Sequence, residues 1–403
     1  MTHRRAFICE PVRTPVGKFG GAYKNVDAKF LAASVLQGLI NRSELPADAV
    51  EDVLFAQCYS SMEAPALGRV AALDAGFPIT VGGLQLDRRC GSGLQALIYA
   101  CLQVATGGSD VVIAGGAESM SRAPFFTHEI RWGVSGGSIA FQDALARGRV
   151  TAGGVNFPVP GGMLETAENL RREYEISREE QDLLALQSQS RACAAQEQGL
   201  FSDEIVPIAV PGRKGETVIS QDETPRETTL EGLAALRPIR VDIDPESTVT
   251  AGNASTQNDG ASACIVASED AVARYALNPY ACLLAWNVSG VEPARMGIGP
   301  VKAISNALAN TNLELADIDL IELNEAFAAQ VLACTKVLGF KNSDFDRLNV
   351  NGSGISLGHP VGATGGRILS TLLHEMKRRD ARYGLETMCI GGGQGLAAVF
   401  ERV

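Results

Sequence analysis

The chain repeats itself. A first pass of alternating elements reads as a strand from Ala6 to Cys9, a helix around Phe30 to Ile40, a strand from Val53 to Ala56, a helix after Cys90 and a strand from Val111 to Ala114. From about Tyr280 the pattern restarts, with a strand at Cys282 to Ala285, a helix near Val301 to Leu308, a strand at Ile318 to Leu323, a glycine-rich turn, a further helix and two closing strands. Strands alternating with helices predict α/β layers. The passes keep register: Ala47-Asp48 matches Ala316-Asp317 at an offset of 269 positions, and the same offset carries Cys90 onto His359. A duplicated fold follows, and 403 residues are in any case too many for one core.

Between the passes, residues 122–248 lack the strand alternation and hold much of the charge, so they are predicted to be an inserted domain. The first half then comprises 1–121 with 249–274, and the second half 275–403. Val249 to Gly252 and Ala263 to Ala267 are predicted strands returning to the first half. Within the insertion, Ser177-Arg178-Glu179-Glu180 is a capping box that opens a helix running to about Gln198 and stopped by Gly199.

Chemistry concentrates at the junction that duplication creates, because equivalent helix starts in two related halves meet there. Cys90-Gly91-Ser92-Gly93 sets a cysteine at the start of an apolar helix marked by Leu94, Leu97, Ile98, Cys101, Leu102 and Ala105. Unpaired N–H groups and the helix dipole favour a thiolate there. Of the four histidines, His3 lies at the terminus, His128 in the charged insertion and His374 beside Glu375 and Lys377 on a face expected to be solvated. His359, in the turn Gly358-His359-Pro360, is left as the base that an attacking thiol needs. Cys389 ends a strand and is followed by Gly391-Gly392-Gly393, whose main-chain N–H groups are free to bind an oxyanion. Asn324 ends the strand Ile318 to Leu323 and is read as beginning a helix, a position that suits an N-cap.

Exclusions come from composition. A net charge of −11 argues against nucleic acid or an anionic membrane surface as partner, and no apolar run reaches the ~18 residues of a membrane helix. Nine cysteines behind an N-terminal segment without a secretory leader point to reduced thiols and a cytoplasmic protein. Cys-x-x-Cys and His-x-x-x-His spacings are absent, so no metal site is expected, and no Gly-x-Gly-x-x-Gly dinucleotide loop is present.

Taken together, Cys90-Gly91-Ser92-Gly93, Asn324-Glu325-Ala326-Phe327, Gly358-His359-Pro360-Val361-Gly362-Ala363-Thr364-Gly365 and Cys389-Ile390-Gly391-Gly392-Gly393 resemble the four signature blocks of the thiolase family. The likeness extends to Val12-Arg13-Thr14-Pro15, to Ile176 through Asp182 and to Thr250 through Ser255. It implies the duplicated five-layered thiolase fold with an inserted loop domain that binds coenzyme A, and a homo-oligomer, either dimer or tetramer. It also implies an acyltransferase acting on acyl-CoA and CoA, with coenzyme A as substrate and no resident cofactor. By the resemblance, Cys90 is the acylated nucleophile, His359 its base, Cys389 the second acid/base, and Asn324 the holder of a water that stabilises an enolate. The N–H groups of Cys90 and Gly391 form the oxyanion site, Ser255 touches the pantetheine arm, and Arg226 meets the nucleotide end. A ketosynthase would carry a second histidine where Cys389 stands, and a non-catalytic lipid carrier would lack one of these groups. Gly162 occupies the place of a histidine found in acetoacetyl-CoA-specific members. With Leu164, it is expected to open the acyl tunnel to longer 3-ketoacyl-CoA, 3-oxoadipyl-CoA being one alternative.

Overall fold

Two equivalent strands meet at the centre of the molecule. The computed structural model describes residues 4–213 and 215–403, so His3 and the extreme N-terminal segment read above as lacking a leader lie outside the described residues. The first half contributes β1 (Ala6–Arg13), β2 (Gly17–Lys18), α1 (Ala28–Ser43), β3 (Asp52–Ala56), α2 (Leu67–Asp74), β4 (Leu84–Leu86), α3 (Ser92–Ala105) and β5 (Val111–Ser119). The insertion is not free of strands. It carries two small hairpins, β6 (Phe125–Phe126) with β7 (Gln142–Asp143) and β8 (Ile208–Gly212) with β9 (Gly215–Ile219). Its helices are α4 (Ala144–Val150), α5 (Gly162–Glu173), α6 (Arg178–Glu197) and α7 (Leu230–Ala234). After it come β10 (Asn258–Ser268), α8 (Glu269–Tyr275), β11 (Pro279–Gly290), α9 (Gly299–Leu308), β12 (Leu320–Leu323), α10 (Ala328–Val337), α11 (Gly354–Leu357), α12 (Thr364–Arg378), β13 (Tyr383–Ile390) and β14 (Gln394–Arg402).

The two halves share one topology. In the first, the strand order is β1-β10-β5-β3-β4, with β3 and β5 parallel and β10 antiparallel to both β5 and β1. In the second it is β11-β14-β13-β12, with β12 and β13 parallel and β14 antiparallel to its neighbours. The leading strands β1 and β11 pair antiparallel through Phe7 with Cys282 and Ile8 with Ala281, which joins the halves into one sheet path. Five layers result. Helices α1 and α2 cover one outer face, α3 and α12 fill the middle with Leu94, Ile98, Ile368, Leu372 and Phe400, and α9 and α10 cover the other.

Local chemistry explains the element ends. The Ser177 hydroxyl accepts from the N–H of Glu180 while the Glu180 carboxylate accepts from the N–H of Ser177, and Gly199 follows α6 with φ +70. The predicted strand Val249 to Gly252 is a loop, held instead by Asn253, whose amide donates to Asp182 at 2.9 Å and accepts from the N–H of Thr250. On α3 the predicted apolar stripe rotates slightly, since Leu102 is 41% exposed whereas Val104 is buried.

The 269-residue register also slips before the catalytic turns. A 3-10 turn over Arg89–Gly91 runs straight into α3, and another over Val361–Ala363 runs straight into α12, so these pairs stand 272 positions apart. The counterpart of Cys90 is therefore Gly362. His359 lies three residues ahead of that counterpart, because the segment with α10 and α11 is longer than the one with α2 and β4.

Candidate active site

Cys90 sits within the 3-10 turn before α3, not on the helix. Its predecessor Arg89 adopts φ +50, a left-handed conformation that costs a non-glycine residue about 1 kcal/mol or more and needs support from its surroundings. Ser92 supplies it: its hydroxyl accepts from the N–H of Arg88 at 2.6 Å and donates to the carbonyl of Arg89 at 2.6 Å. The Cys58 thiol donates to that same carbonyl at 3.2 Å. Gly91 packs closely, since a Cβ there would lie 2.6 Å from the tip of the Ile390 side chain, which would have to shift to admit it. That close approach lays the Cys90 turn against the end of β13, where the N–H of Gly391 reaches the Cys90 sulfur. The helix start does not leave a standing thiolate. Burial pushes the Cys90 thiol up, and the Gly391 N–H, Arg89 and its own N–H offset this only in part.

A thiol of that kind needs a base, and His359 is built as one. Its N–H donates to Asn258 at 2.9 Å, and Gln257 pairs with it in an isolated β-bridge. Its Nδ1 lies 2.6 Å from the hydroxyl of Thr364, which itself donates to the carbonyl of Pro360 at 2.9 Å. With that hydroxyl proton committed, Thr364 accepts, so Nδ1 carries the imidazole proton and Nε2 carries the lone pair. Nε2 is buried and has no partner among the described residues. Burial, with Arg367 second, holds the ring down to about 3, so it is neutral at physiological pH.

Cys389 is the last residue but one of β13, fully buried, its thiol pushed far up by burial and then by Cys90 and Cys334. It packs with Met296, Ala326, Phe327 and Ala254, with Met163 and Leu164 alongside. Asn324 is not an N-cap. The next helix, α10, starts only at Ala328, and the buried Asn324 amide has no hydrogen-bond partner for either its nitrogen or its oxygen among the described residues. Such an orphaned pair in a polar site calls for a water or a ligand. Ser255 is drawn in by its N–H, which donates to Ala326 at 2.9 Å, next to an Ala254–Phe327 bridge. Arg226 is not part of this cluster; it is exposed on the insertion, its N–H donating to Gln189 at 3.1 Å.

Two supports had no signal in the sequence. One is Thr364. The other is Glu118 of β5, fully buried, whose carboxylate accepts from the N–H groups of Cys58 at 3.0 Å, Tyr59 at 3.1 Å and Gly362 at 3.0 Å. It thereby clips the turn beneath Cys90 to the turn after His359. A further expectation is corrected. His374 is buried, not solvated: its Nε2 meets the Pro11 carbonyl at 3.0 Å and its ring packs edge-on against Tyr280. Gly162 has φ +61, and Leu164 belongs to the cluster around Cys389. Among the described residues, no three of His, Cys, Asp and Glu gather as a metal site.

The profile of the thiolase N-terminal domain matches residues 6–270 and that of the thiolase C-terminal domain matches 277–402. The chain belongs to the thiolase family. This thiolase is 44% identical to the beta-ketothiolase BktB of Cupriavidus necator, over 99% of its own length and all of that protein's. It is likewise 44% identical to the beta-ketoadipyl-CoA thiolase of Pseudomonas aeruginosa, over 99% of this chain and 100% of that one. In structure it is similar to the Bacillus anthracis acetyl-CoA acetyltransferase, with a TM-score of 0.94, 42% identity and full coverage of both chains.

Proposed function

We propose that this thiolase is an acetyl-CoA C-acyltransferase that cleaves 3-ketoacyl-CoA with CoA, or runs the reverse condensation, through an acyl group on Cys90. What supports this reading is a buried, protonated thiol and a buried, neutral imidazole whose Nε2 has no partner among the described residues, carried on neighbouring turns that Glu118 ties together. His359 takes the Cys90 proton as the sulfur attacks the keto carbon. The bond between the second and third acyl carbons then breaks, and the acetyl-CoA enolate departs towards His359 and a water held by Asn324. Cys389 protonates that carbon. A thiol pushed so far up gives a strongly basic thiolate, suited to removing a proton from acetyl-CoA in the reverse direction. The N–H groups of Cys90 and Gly391 hold the oxyanion, each donor being worth about 3 kcal/mol of barrier.

Coenzyme A enters as substrate, with no resident cofactor or metal in the reading. Ser255, joined to the Ala326 carbonyl, contacts its pantetheine arm, and the exposed Arg226 meets its nucleotide end. Assembly as a homo-oligomer is supported by β4, which ends the sheet path with β3 as its neighbour, and by the exposed apolar side chains of Leu84 and Ile79 near that edge. No helix among the described residues is long and apolar enough to cross a membrane. All nine cysteines are free, which suits a reducing compartment such as the cytoplasm.

The test is intact-protein mass spectrometry with acetyl-CoA. The wild type should gain one acetyl group, Cys90→Ala none, and Cys389→Ser should still be acetylated while failing to turn over. Acetylation of the folded Cys90→Ala protein would remove Cys90 from the role of nucleophile.

A further inference from the structure

Three charged side chains meet in the core of the second half, one layer beneath the catalytic turns. Glu322 of β12 and Glu386 of β13 are cross-strand partners in a parallel pair, about 5 Å apart at Cα. Alternation turns both towards the middle layer. Leu320 and Met388, two residues away on the same strands, pack there with Ile368 and Leu372 of α12, whereas Ile321 and Leu385 pack on the outer side. Arg367 of α12 comes from the opposite wall, and its charge acts on both carboxyls. Exposure is 3% for Glu322, 0% for Glu386 and 1% for Arg367. Yet no guanidinium nitrogen of Arg367, neither carboxyl oxygen of Glu386 and not Oε2 of Glu322 has a hydrogen-bond partner among the described residues. The groups are close enough to act on one another and too far apart to bond.

Burying such atoms without partners forfeits the hydrogen bonds that they made to solvent in the unfolded chain, and charge makes the loss larger. Neighbouring side chains do not relieve it. Of the other carboxylates that act on Glu322, Glu325 accepts from Ser188 and Asn349, Glu204 is paired with Arg13, and Glu375 with Arg378. A polar gap with donors on one wall and acceptors on the other is where buried water sits, each molecule taking roughly two to four partners. We infer that Arg367, Glu322 and Glu386 hold a sealed cluster of ordered water, and that this bridge sets the spacing between α12 and β12 on which the enolate site depends.

The inference rests on the thiolase reading, because it concerns the two groups assigned there to the enolate oxygen. Thr364, which holds the His359 ring, precedes Arg367 by three residues of α12, about 4.5 Å along its axis. Thr371, four residues further on, completes the stripe by donating to Glu204 at 3.0 Å. On the other wall, Asn324 follows Glu322 by two residues, about 7 Å along the chain, and its N–H still donates to the Thr387 carbonyl of β13 at 3.0 Å. Water between Arg367 and the two carboxyls therefore joins the helix beneath His359 to the strand that leads into Asn324. Burial pushes both carboxyls far up, and one guanidinium balances one carboxylate, so the other keeps its proton. A protonated carboxyl and a carboxamide each offer a donor and an acceptor, so glutamine preserves the bridge and leucine removes it.

A crystal structure of the wild type tests the cluster: water density should link Arg367 to both carboxyls, and a direct ion pair or a dry contact overturns it. Its role is read from two steps. Thiolysis of acetoacetyl-CoA uses the enolate site, whereas acetylation of Cys90 by acetyl-CoA uses the N–H groups of Cys90 and Gly391. Glu322→Leu leaves Arg367 balanced by Glu386. It should lower kcat for thiolysis on the order of tenfold to a hundredfold while slowing acetylation less than about threefold. Glu322→Gln should keep more than about half of the wild-type kcat. An unaltered kcat in Glu322→Leu, an equal loss on both steps, or a Glu322→Gln variant as slow as Glu322→Leu overturns the positioning role. If Glu322→Leu fails to fold, the combination of Arg367→Met, Glu322→Leu and Glu386→Leu, which strands no charge, takes its place with the same expectations. A wild type that is never acetylated at Cys90 defeats the thiolase reading instead, while the crystal structure still decides the cluster.

Discussion

Thr364 accepts the Nδ1 proton of His359 because its own hydroxyl proton is spent on the Pro360 carbonyl, and that small commitment decides which ring nitrogen is basic. Cys90 and His359 stood out in the sequence because they are reactive side chains set among glycines, and because only four histidines had to be weighed. The tautomer did not stand out, since it depends on a hydroxyl whose orientation is fixed only once the turn has closed. His374 was misread for a related reason. Glu375 and Lys377 beside it suggest a wet face, but Tyr280 and Pro11 arrive from distant segments to cover the ring. At this scale Thr364→Val should slow acetylation of Cys90 by at least roughly tenfold, because the imidazole loses the acceptor that fixes its tautomer. Thr364→Ser should restore most of the rate. Equal acylation rates in stopped-flow for Val, Ser and wild type would reduce Thr364 to a packing residue.

Between elements, the coupling runs through Glu118 and through close backbone contact. The strands, helices and insertion could be read from periodicity and turn residues, since those signals are local. The slip from 269 to 272 could not, because it arises from unequal connections between β12 and α12, and neither could Asn324, whose strand ends four residues before α10 begins. Glu118 gave no signal at all, its partners being three backbone N–H groups from two remote turns. Burial drives its carboxyl up to about 7, against the pull of the Cys58, Tyr59 and Gly362 N–H groups. The folded chain thus keeps a proton between the ordinary carboxylate value of 4.5 and about 7 that the unfolded chain has released, so stability should fall as pH rises through this window. Glu118→Gln removes that slope. Its urea midpoint should improve relative to wild type between pH 5 and 8, while acylation slows because an amide presents one acceptor oxygen where the carboxylate has two. A parallel pH dependence of the two midpoints would show that Glu118 does not titrate in this range.

For the whole molecule, the decisive contact is where α3 of one half crosses α12 of the other. There the backbones nearly touch: a Cβ on Gly93 would lie 3.0 Å from the Gly362 carbonyl, and one on Gly365 only 2.1 Å from the N–H nitrogen of Leu94. The sequence shows these glycines but not their purpose, since a glycine near a helix start reads equally well as a turn. Because the turns bearing Cys90 and His359 lead into these two helices, the crossing sets the distance between nucleophile and base. Gly365→Ala places a methyl group against backbone that cannot rotate aside, and the halves must part by about 1 Å to admit it. Overpacking of this kind costs roughly 1–3 kcal/mol in stability, whereas a misplacement of that size lowers catalysis on the order of a hundredfold. Catalysis should therefore fail well before the fold does. A Cβ on Gly290 meets nothing within 4 Å among the described residues, so Gly290→Ala serves as the control. Thermal melting and the rate of Cys90 acetylation, measured side by side, check the point: Gly365→Ala should melt a few degrees lower yet acylate about a hundredfold more slowly. A variant that is destabilised but acylates at the wild-type rate would mean that the helix crossing does not set the catalytic distance.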